Sequence, residues 1–464
     1  MRARALVAGA LIVGAVVALI VAFTSGGSES NAQAAPSAGV TTPLWSIRRV
    51  PEPVVEAVGA QHLQAALDAA APGDGTCFVV SAGNHVLATH GADTPLIGAS
   101  TQKLLVAAAA RSTLGPDSVF QTRVVASAPP ADGTVDQVWM VGGGDPVLAT
   151  GDYAAFLQSQ PKSAGVVTTS LEALADAVVA KGVHSIPGGV VGDDSRYDQQ
   201  RYVPTWKDTY RTDGEIGPMS ALTVNDGFAT WSPARKTPVD DPTRNAAAEL
   251  TDLLRARGVQ VGAPSTGAAP ANATEIATVS SPPLRDVVHS MLTSSDNGTA
   301  EMLTKELGVH ASKQGTTQAG IAAITAKLKE LGVPLADGAL KDGSGLDRGN
   351  RVTCANLVAT LTLADRPELA TLYDGLPVAG RNGTLVGDFV GTPLEGNFRG
   401  KTGSLDGVTG LTGVLDLGRR LRFAFLDNGE FSETQGEVIR VHIGDIVGRY
   451  PDSPPVDALV PPPQ

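Results

Sequence analysis

Ala99-Ser100-Thr101-Gln102-Lys103-Leu104-Leu105-Val106 decides how this chain is read. Two strand-like stretches precede it, Thr76–Ser81 and His85–His90, joined at Ala82-Gly83-Asn84, a residue set that favours a hairpin turn. After it, Leu104 to Ala110 holds no polar residue, which predicts a buried helix. A serine three residues before a lysine shares its helix face, so the amine can reach the hydroxyl. A serine hydroxyl needs a neighbour to take its proton. A lysine serves only if burial or a second cation disfavours its charged form. Ser100 also falls in the first helical turn, where free backbone N–H groups can receive a developing oxyanion. A Ser-x-x-Lys arises by chance on the order of once in a chain this long, so its meaning depends on partners elsewhere.

The 464 residues, 42% hydrophobic and 18% charged, allow two or three domains with their own cores. A net charge of -12 without any Lys/Arg-rich run excludes nucleic acid as a partner. Arg2 and Arg4 precede an uncharged stretch from Ala5 to Phe23, long enough to approach the hydrocarbon thickness of a membrane. The reading is a signal anchor or signal peptide over residues 1–25, its amino end cytoplasmic. Ala32-Gln33-Ala34 has the small-x-small form of a cleavage site but lies far past the apolar run, which favours an uncleaved anchor at residues 5–23. Cys77 and Cys354 in an exported chain either pair or stay as two buried thiols; spacing alone does not choose. No Cys-x-x-Cys and no paired histidine spacing suggests a metal site.

Residues 26–53 read as a Gly/Ser/Ala/Pro-rich spacer, and Val54–Ala70 as the first helix of the folded part. From about Thr122 the pattern turns to short strands and glycine-rich turns. Gly142-Gly143-Gly144-Asp145-Pro146 lacks the Gly-Lys-Ser/Thr of a phosphate loop and reads as a tight turn. Thr169-Ser170-Leu171-Glu172 predicts a capping box opening a helix that ends near Gly182, and Asn245–Arg257 repeats the format. Beyond Ser281 the pattern is strongly helical, with Ile321, Ile324, Leu328 and Leu331 on one stripe and Leu357, Leu361 and Ala364 on another. Leu411–Leu415 and Leu421–Leu426 read as a second hairpin around Gly418-Arg419-Arg420, and Val438–Val447 as a closing amphipathic helix. Residues 451–464 form a Pro-rich tail. Both chain ends thus supply hairpin and helix material to one sheet. Residues 54–121 and 281–450 are expected to form a discontinuous domain, with 122–280 inserted.

Two further motifs follow in order. Ser295-Asp296-Asn297 stands at a loop-to-helix entry, and Lys401-Thr402-Gly403-Ser404 opens a strand. Ser-x-x-Lys, Ser-x-Asn and Lys-Thr-Gly in that order are the set of penicillin-binding proteins and serine β-lactamases. The chain resembles class C low-molecular-mass penicillin-binding proteins, serine D-alanyl-D-alanine carboxypeptidases and endopeptidases of bacterial walls. The resemblance spans about residues 55–450 and includes Gly142–Pro146, Ser220–Asp226, Asp342–Leu346 and Leu376–Leu385. The 195 residues separating Ser100 from Ser295 exceed what a simple β-lactamase uses.

The resemblance implies an α+β fold: a transpeptidase-like domain, its antiparallel sheet flanked by helices, with a large inserted mixed α/β region. It implies that Ser100 attacks the carbonyl between two D-alanines, that Lys103 is the base, and that Ser295 relays a proton to the leaving amine. Asn297 would hold a substrate amide and orient Lys103. Lys401 would help keep Lys103 neutral and, with Thr402, bind the terminal carboxylate. Gly403 would let substrate lie along the strand, and the Ser100 and Ser404 N–H groups would form the oxyanion hole. Asp296 reads as structural. No metal or organic cofactor is implied. The implied partners are peptidoglycan stem peptides ending in D-Ala-D-Ala, β-lactam antibiotics and the cytoplasmic membrane, on whose outer face or beyond it the enzyme would act. Ser404 stands where many relatives have threonine, and Gly98-Ala99 where many have Pro-Ala. A β-lactamase is one alternative, though no glutamate for a deacylating water is found; a catalytically silent wall scaffold on the same fold is another.

Overall fold

The computed structural model describes residues 52–71 and 73–451. The N-terminal apolar segment, its spacer up to residue 51 and the tail beyond 451 lie outside them. Among the described residues, no helix is long and apolar enough to cross a membrane.

The two chain ends meet in one sheet. Helix α1 (Glu52–Ala70) leads into β1 (Thr76–Ala82) and β2 (His85–His90), and near the carboxyl end β8 (Phe398–Leu405), β9 (Val408–Asp416) and β10 (Arg420–Asn428) run as a meander into α9 (Glu433–Gly448). The order is β8-β9-β10-β1-β2, antiparallel throughout, with β1 paired to β10 from Thr76↔Asp427 to Ala82↔Leu421. Helices cover both faces, so β9 and β10 are buried along nearly their whole length and their apolar runs extend past the alternating residues read from sequence. On one face Leu63, Leu67, Ile443 and Val447 of α1 and α9 pack on Phe78, Phe398, Leu411, Phe423 and Phe425.

The other face carries the helical half. Helix α2 (Lys103–Leu114) has Lys103 to Arg111 buried without a break, which an alanine-rich run permits because it leaves room for close neighbours on every side. Those neighbours are α5 (Leu284–Ser294), α6 (Asn297–Ser312), α7 (Thr317–Glu330) and α8 (Cys354–Thr362). Ile324 and Leu328 of the predicted stripe are fully buried in this core.

Residues between α2 and α5 build a second core. Its sheet combines β3 (Gln121–Ala126), β4 (Val138–Val141), β5 (Val190–Asp193), β6 (Ser265–Thr266) and β7 (Thr274–Ser280), in the order β6-β5-β4-β3-β7. Strands β4, β5 and β6 are parallel and β3 pairs antiparallel on both sides. Helices α3 (Leu171–Ala180) and α4 (Pro242–Ala256) pack on it.

Helix starts differ from the expectation where capping chemistry decides. The α3 cap is Ser170, whose hydroxyl accepts from the Ala173 N–H. Glu172 instead accepts from Gly151 N–H at 2.7 Å, so the predicted box does not close. Helix α4 starts at Pro242 because Asp241 accepts from two backbone N–H groups. Helix α9 starts five residues before Val438, at Glu433, since Ser432 and Gln435 form a reciprocal capping box.

Cys77 on β1 and Cys354 at the start of α8 are bonded, with Cα atoms 6.0 Å apart and a sequence separation of 277. A bridge closing so long a loop restricts the unfolded chain and typically adds about 2–4 kcal/mol. Replacing both cysteines by alanine is expected to lower the unfolding free energy by about that amount. Equal melting temperatures with and without reductant in the parent protein would contradict this.

Candidate active site

Ser100 sits in a tight turn, Ala99–Gln102, immediately before α2. Ala99 has φ +45°, a left-handed conformation that costs a non-glycine residue about 1–3 kcal/mol. The loop Asp342–Asp347 presses against this turn: a Cβ on Gly345 would lie 2.0 Å from the Ala99 carbonyl oxygen. Strand β8 presses from another side, since a Cβ on Gly403 would lie 2.6 Å from the Gly98 oxygen. The absent side chain of Gly403 thus permits the close packing of β8 against the Ser100 turn.

Lys103 is fully buried, and its Nζ lies 2.7 Å from each of three atoms: Ser100 Oγ, Asn297 Oδ1 and the Ser344 carbonyl oxygen. A neutral amine has two N–H bonds and one lone pair. Two carbonyl oxygens occupy the N–H bonds, which leaves the lone pair for the serine hydroxyl. Burial lowers the Lys103 amine to about 8, against the carboxylates of Asp296, Asp342, Glu301 and Glu215, which favour its charged form.

The acceptors are themselves held. Asn297 opens α6 and its Nδ2 donates to the Glu215 carbonyl at 2.8 Å, which fixes the amide with its oxygen toward Lys103. Glu301, one turn further on the same face, accepts from the Gly343 and Ser344 N–H groups at 2.9 and 2.6 Å. Burial pushes this carboxyl up to about 8. Asp342 accepts from Gln102 Nε2, the Gly345 N–H and Asn350 Nδ2 on one oxygen, and from Trp206 Nε1 and the Asp347 N–H on the other. Gln102, an unspecified position of the Ser-x-x-Lys motif, thereby ties the nucleophile turn to this loop.

Ser295 ends α5 in the left-handed conformation (φ 64°, ψ 34°), and Asp296 caps α6 by accepting from the Thr299 N–H. The turn aims Ser295 Oγ at Lys401, whose Nζ donates to it at 2.8 Å and to the Thr402 carbonyl at 3.1 Å. Lys401 is held well below the usual lysine range by burial, then by the charge of Lys103 and of Arg440. Burial is the larger cause for both lysines, and the repulsion between them disfavours two simultaneous charges. Thr402 Oγ1 donates to Thr384 Oγ1 at 2.9 Å.

Ser100, Ser295, Asn297, Thr402 and Ser404 border one cavity of about 670 Å³, together with Thr384, Glu437 and Arg440. Residues 377–379 cover the first half of β8 through Gly400 N–H to Pro377 O and Ala379 N–H to Phe398 O; from Lys401 onward its outer edge faces the cavity. All eight site residues expected from the sequence therefore gather here. Ser344, Thr384, Glu301, Glu215 and Arg440 were not among them.

The chain matches known proteins over most of its described length. The model of the family described as D-Ala-D-Ala carboxypeptidase 3 (S13) matches residues 60–238 and 233–449. A carboxypeptidase of Mycobacterium tuberculosis is 33% identical over 345 residues, covering 72% of each chain. A D-alanyl-D-alanine carboxypeptidase of an Actinomadura species is 30% identical over 413 residues, covering 72% of this chain and 73% of its own. Penicillin-binding protein 4 of Haemophilus influenzae has the same fold, with a TM-score of 0.68 at 21% identity over 84% of this chain and 99% of its own. With its motif residues gathered in one cleft and the family model spanning nearly all of the described chain, the protein belongs to the D-Ala-D-Ala carboxypeptidase 3 (S13) family.

Proposed function

We propose that this chain is a serine D-Ala-D-Ala carboxypeptidase that releases the terminal D-alanine of peptidoglycan stem peptides through an acyl-enzyme on Ser100, and that β-lactams acylate the same serine. The observation that carries the reading is the buried Lys103 amine, 2.7 Å from Ser100 Oγ, with two carbonyl oxygens taking its N–H bonds. Lys103 takes the Ser100 proton as Oγ attacks the penultimate carbonyl. Backbone N–H groups of Ser100 and Ser404 receive the oxyanion. Ser295, bonded to Lys401, passes a proton to the leaving nitrogen, and water releases the acyl group. Lys401 and Thr402 hold the substrate carboxylate, and Asn297 its amide. Residues 54–121 and 281–450 form the catalytic domain on this reading, 122–280 its insertion, and the enzyme acts outside the cytoplasmic membrane, tethered through residues 5–23.

A second activity has its own observation. A neighbouring cavity of about 420 Å³ shares Lys162, Glu215, Ser294, Ser295 and Asn297 with the catalytic cleft. The space beside the proton-relay serine thus exceeds what a single D-alanine needs, which suits D,D-endopeptidase action on cross-linked stems. Purified cross-linked muropeptide dimers should be split to monomers by the parent protein; intact dimers under conditions that release D-alanine from monomers would remove this activity.

Incubation with a fluorescent penicillin is expected to give a covalent adduct on Ser100, seen by intact mass and peptide mapping. Ser100→Ala should give neither adduct nor D-alanine release. D-alanine release surviving in that variant would sink the assignment.

Only the neutral Lys103 accepts the serine proton, so the acylation rate should rise with pH, reach half its maximum near pH 8, where the lowered amine titrates, and level off above it. Asp296 is the carboxylate that most favours the charged lysine. Asp296→Asn keeps a capping side chain while removing that charge, so the inflection should move to lower pH. An unmoved pH profile would show that Lys103 is not the group being titrated.

A further inference from the structure

Glu301 on α6 has no exposure, and its two carboxyl oxygens differ sharply in their surroundings. Oε1 accepts from the Gly343 and Ser344 N–H groups, whereas Oε2 is buried without any donor. The loop packs directly on this face of α6, for a Cβ on Gly343 would lie 2.1 Å from Thr304 Oγ1 and 2.8 Å from the Ala300 carbonyl oxygen. The adjacent Asp342 is the contrast. Its two oxygens share the five donors described above, the pattern of an ionised carboxylate.

An ionised carboxylate needs donors at both oxygens, and burying one that lacks them is costly. A carboxylic acid has one carbonyl oxygen with two lone pairs to fill and one hydroxyl that calls for no donor. Glu301 matches the acid. Among the charged groups around it, Asp342 on the facing loop opposes a second negative charge, and Lys305, one turn further along α6, is spent on Asp198. Lys103 on α2 is close enough to feel a charge on Glu301, which would favour the ammonium over the amine. Burial, and then Asp342, push the Glu301 carboxyl up to about 8 against the hydrogen bonds from Ser344 and Gly343, which favour its ionised form.

Resting on the reading of Lys103 as the base, we propose that Glu301 is a positioning residue acting as a neutral carboxylic acid: its carbonyl oxygen holds the Ser344 backbone against Lys103, and its proton spares the base a second buried negative charge. The Ser344 N–H faces Glu301 and the Ser344 carbonyl faces Lys103, so this one residue transmits the position of α6 to the amine.

The rate of Ser100 acylation by benzylpenicillin, followed by mass across pH, tests the role. Glu301→Gln keeps a carbonyl oxygen and cannot ionise, so it should keep at least about half of the parent rate, its inflection within about 0.3 pH unit of the parent's. Glu301→Asp, which keeps an acid but withdraws its oxygen, and Glu301→Ala should each lose about tenfold at every pH. An inflection lowered by about one pH unit in Glu301→Gln, the response expected of Asp296→Asn, would reveal an ionised glutamate and overturn the proposal. A Gln variant that folds but is as slow as the Ala variant overturns it as well. Carbon-13 labelling of the glutamate side-chain carboxyls in the parent protein needs no variant: one of them should titrate near pH 8. Glutamates all ionised by about pH 6 overturn the proposal even where Glu301→Gln fails to fold. Parent acylation with no inflection near pH 8 overturns the base reading, and the role of Glu301 with it, whatever the carbon-13 titration shows.

Discussion

The structure turns on a lysine amine kept out of water. Lys103 has no exposure, and an ammonium in that position without partners would be prohibitively costly. The protein meets the cost by lowering the amine to about 8 and by placing three oxygens at 2.7 Å around it. The same three contacts suit both protonation states. As a neutral amine, Lys103 donates to two carbonyl oxygens and accepts from Ser100; once it has taken the proton, it donates to all three. The proton therefore moves without any acceptor having to reorganise, the condition under which a fixed polar site lowers a barrier most effectively.

Each of those oxygens comes from a different part of the chain, which explains the layout of the fold. Ser100 is placed by a strained turn trapped between the 342–347 loop and β8, at distances that exclude any Cβ on Gly345 or Gly403. Asn297 is placed by the start of α6, and Ser344 by Glu301 on the same helix. Helix α6 is in turn clamped from the 196–200 segment: Arg196 Nε donates to Glu306 at 2.8 Å, Tyr197 OH to the same carboxylate at 3.0 Å, and Lys305 pairs with Asp198. The sheet that carries Lys401 is closed by the chain's two ends and tied to the helical half through Cys77 and Cys354.

The three motifs were legible because each is a local pattern whose residue types state their chemistry. Serine beside lysine at helical spacing, a polar loop entering a helix, and a lysine heading a strand all read without knowledge of the fold. The sheet built from both termini was legible for a similar reason: the two hairpins carry their own turn residues. What escaped acts through the backbone or across long distances. Ser344 and Glu215 contribute carbonyl oxygens, which any residue supplies, so their identities carry no signal. Arg440 sits among ordinary charged residues of an amphipathic helix, and only the fold brings it to the cavity. Glu301 did leave a trace, since it follows Asn297 by four residues and so shares its face, but a glutamate in a helix normally points to solvent.

The link through Glu215 changes how the middle of the chain is regarded. Residues 122–280 have their own sheet and core, and an appendage of that kind would be free to vary without touching the chemistry. Yet the Asn297 amide has two ends. Its oxygen faces Lys103 only because its nitrogen is spent on the Glu215 carbonyl. Without that acceptor, the amide would gain nothing from its present orientation and could present its nitrogen to the lysine, opposing donor to donor. Trp206 adds a second tie by donating to Asp342, the carboxylate that organises the loop bearing Ser344. Two of the three contacts that define Lys103 thus depend on side chains oriented from the 206–215 segment. The 206–215 stretch is therefore part of what sets the geometry of the base, and it is held there because Trp206 and Tyr210 pack with Ala99, Leu346, Leu405 and Val408 beside the Ser100 turn rather than within the second core.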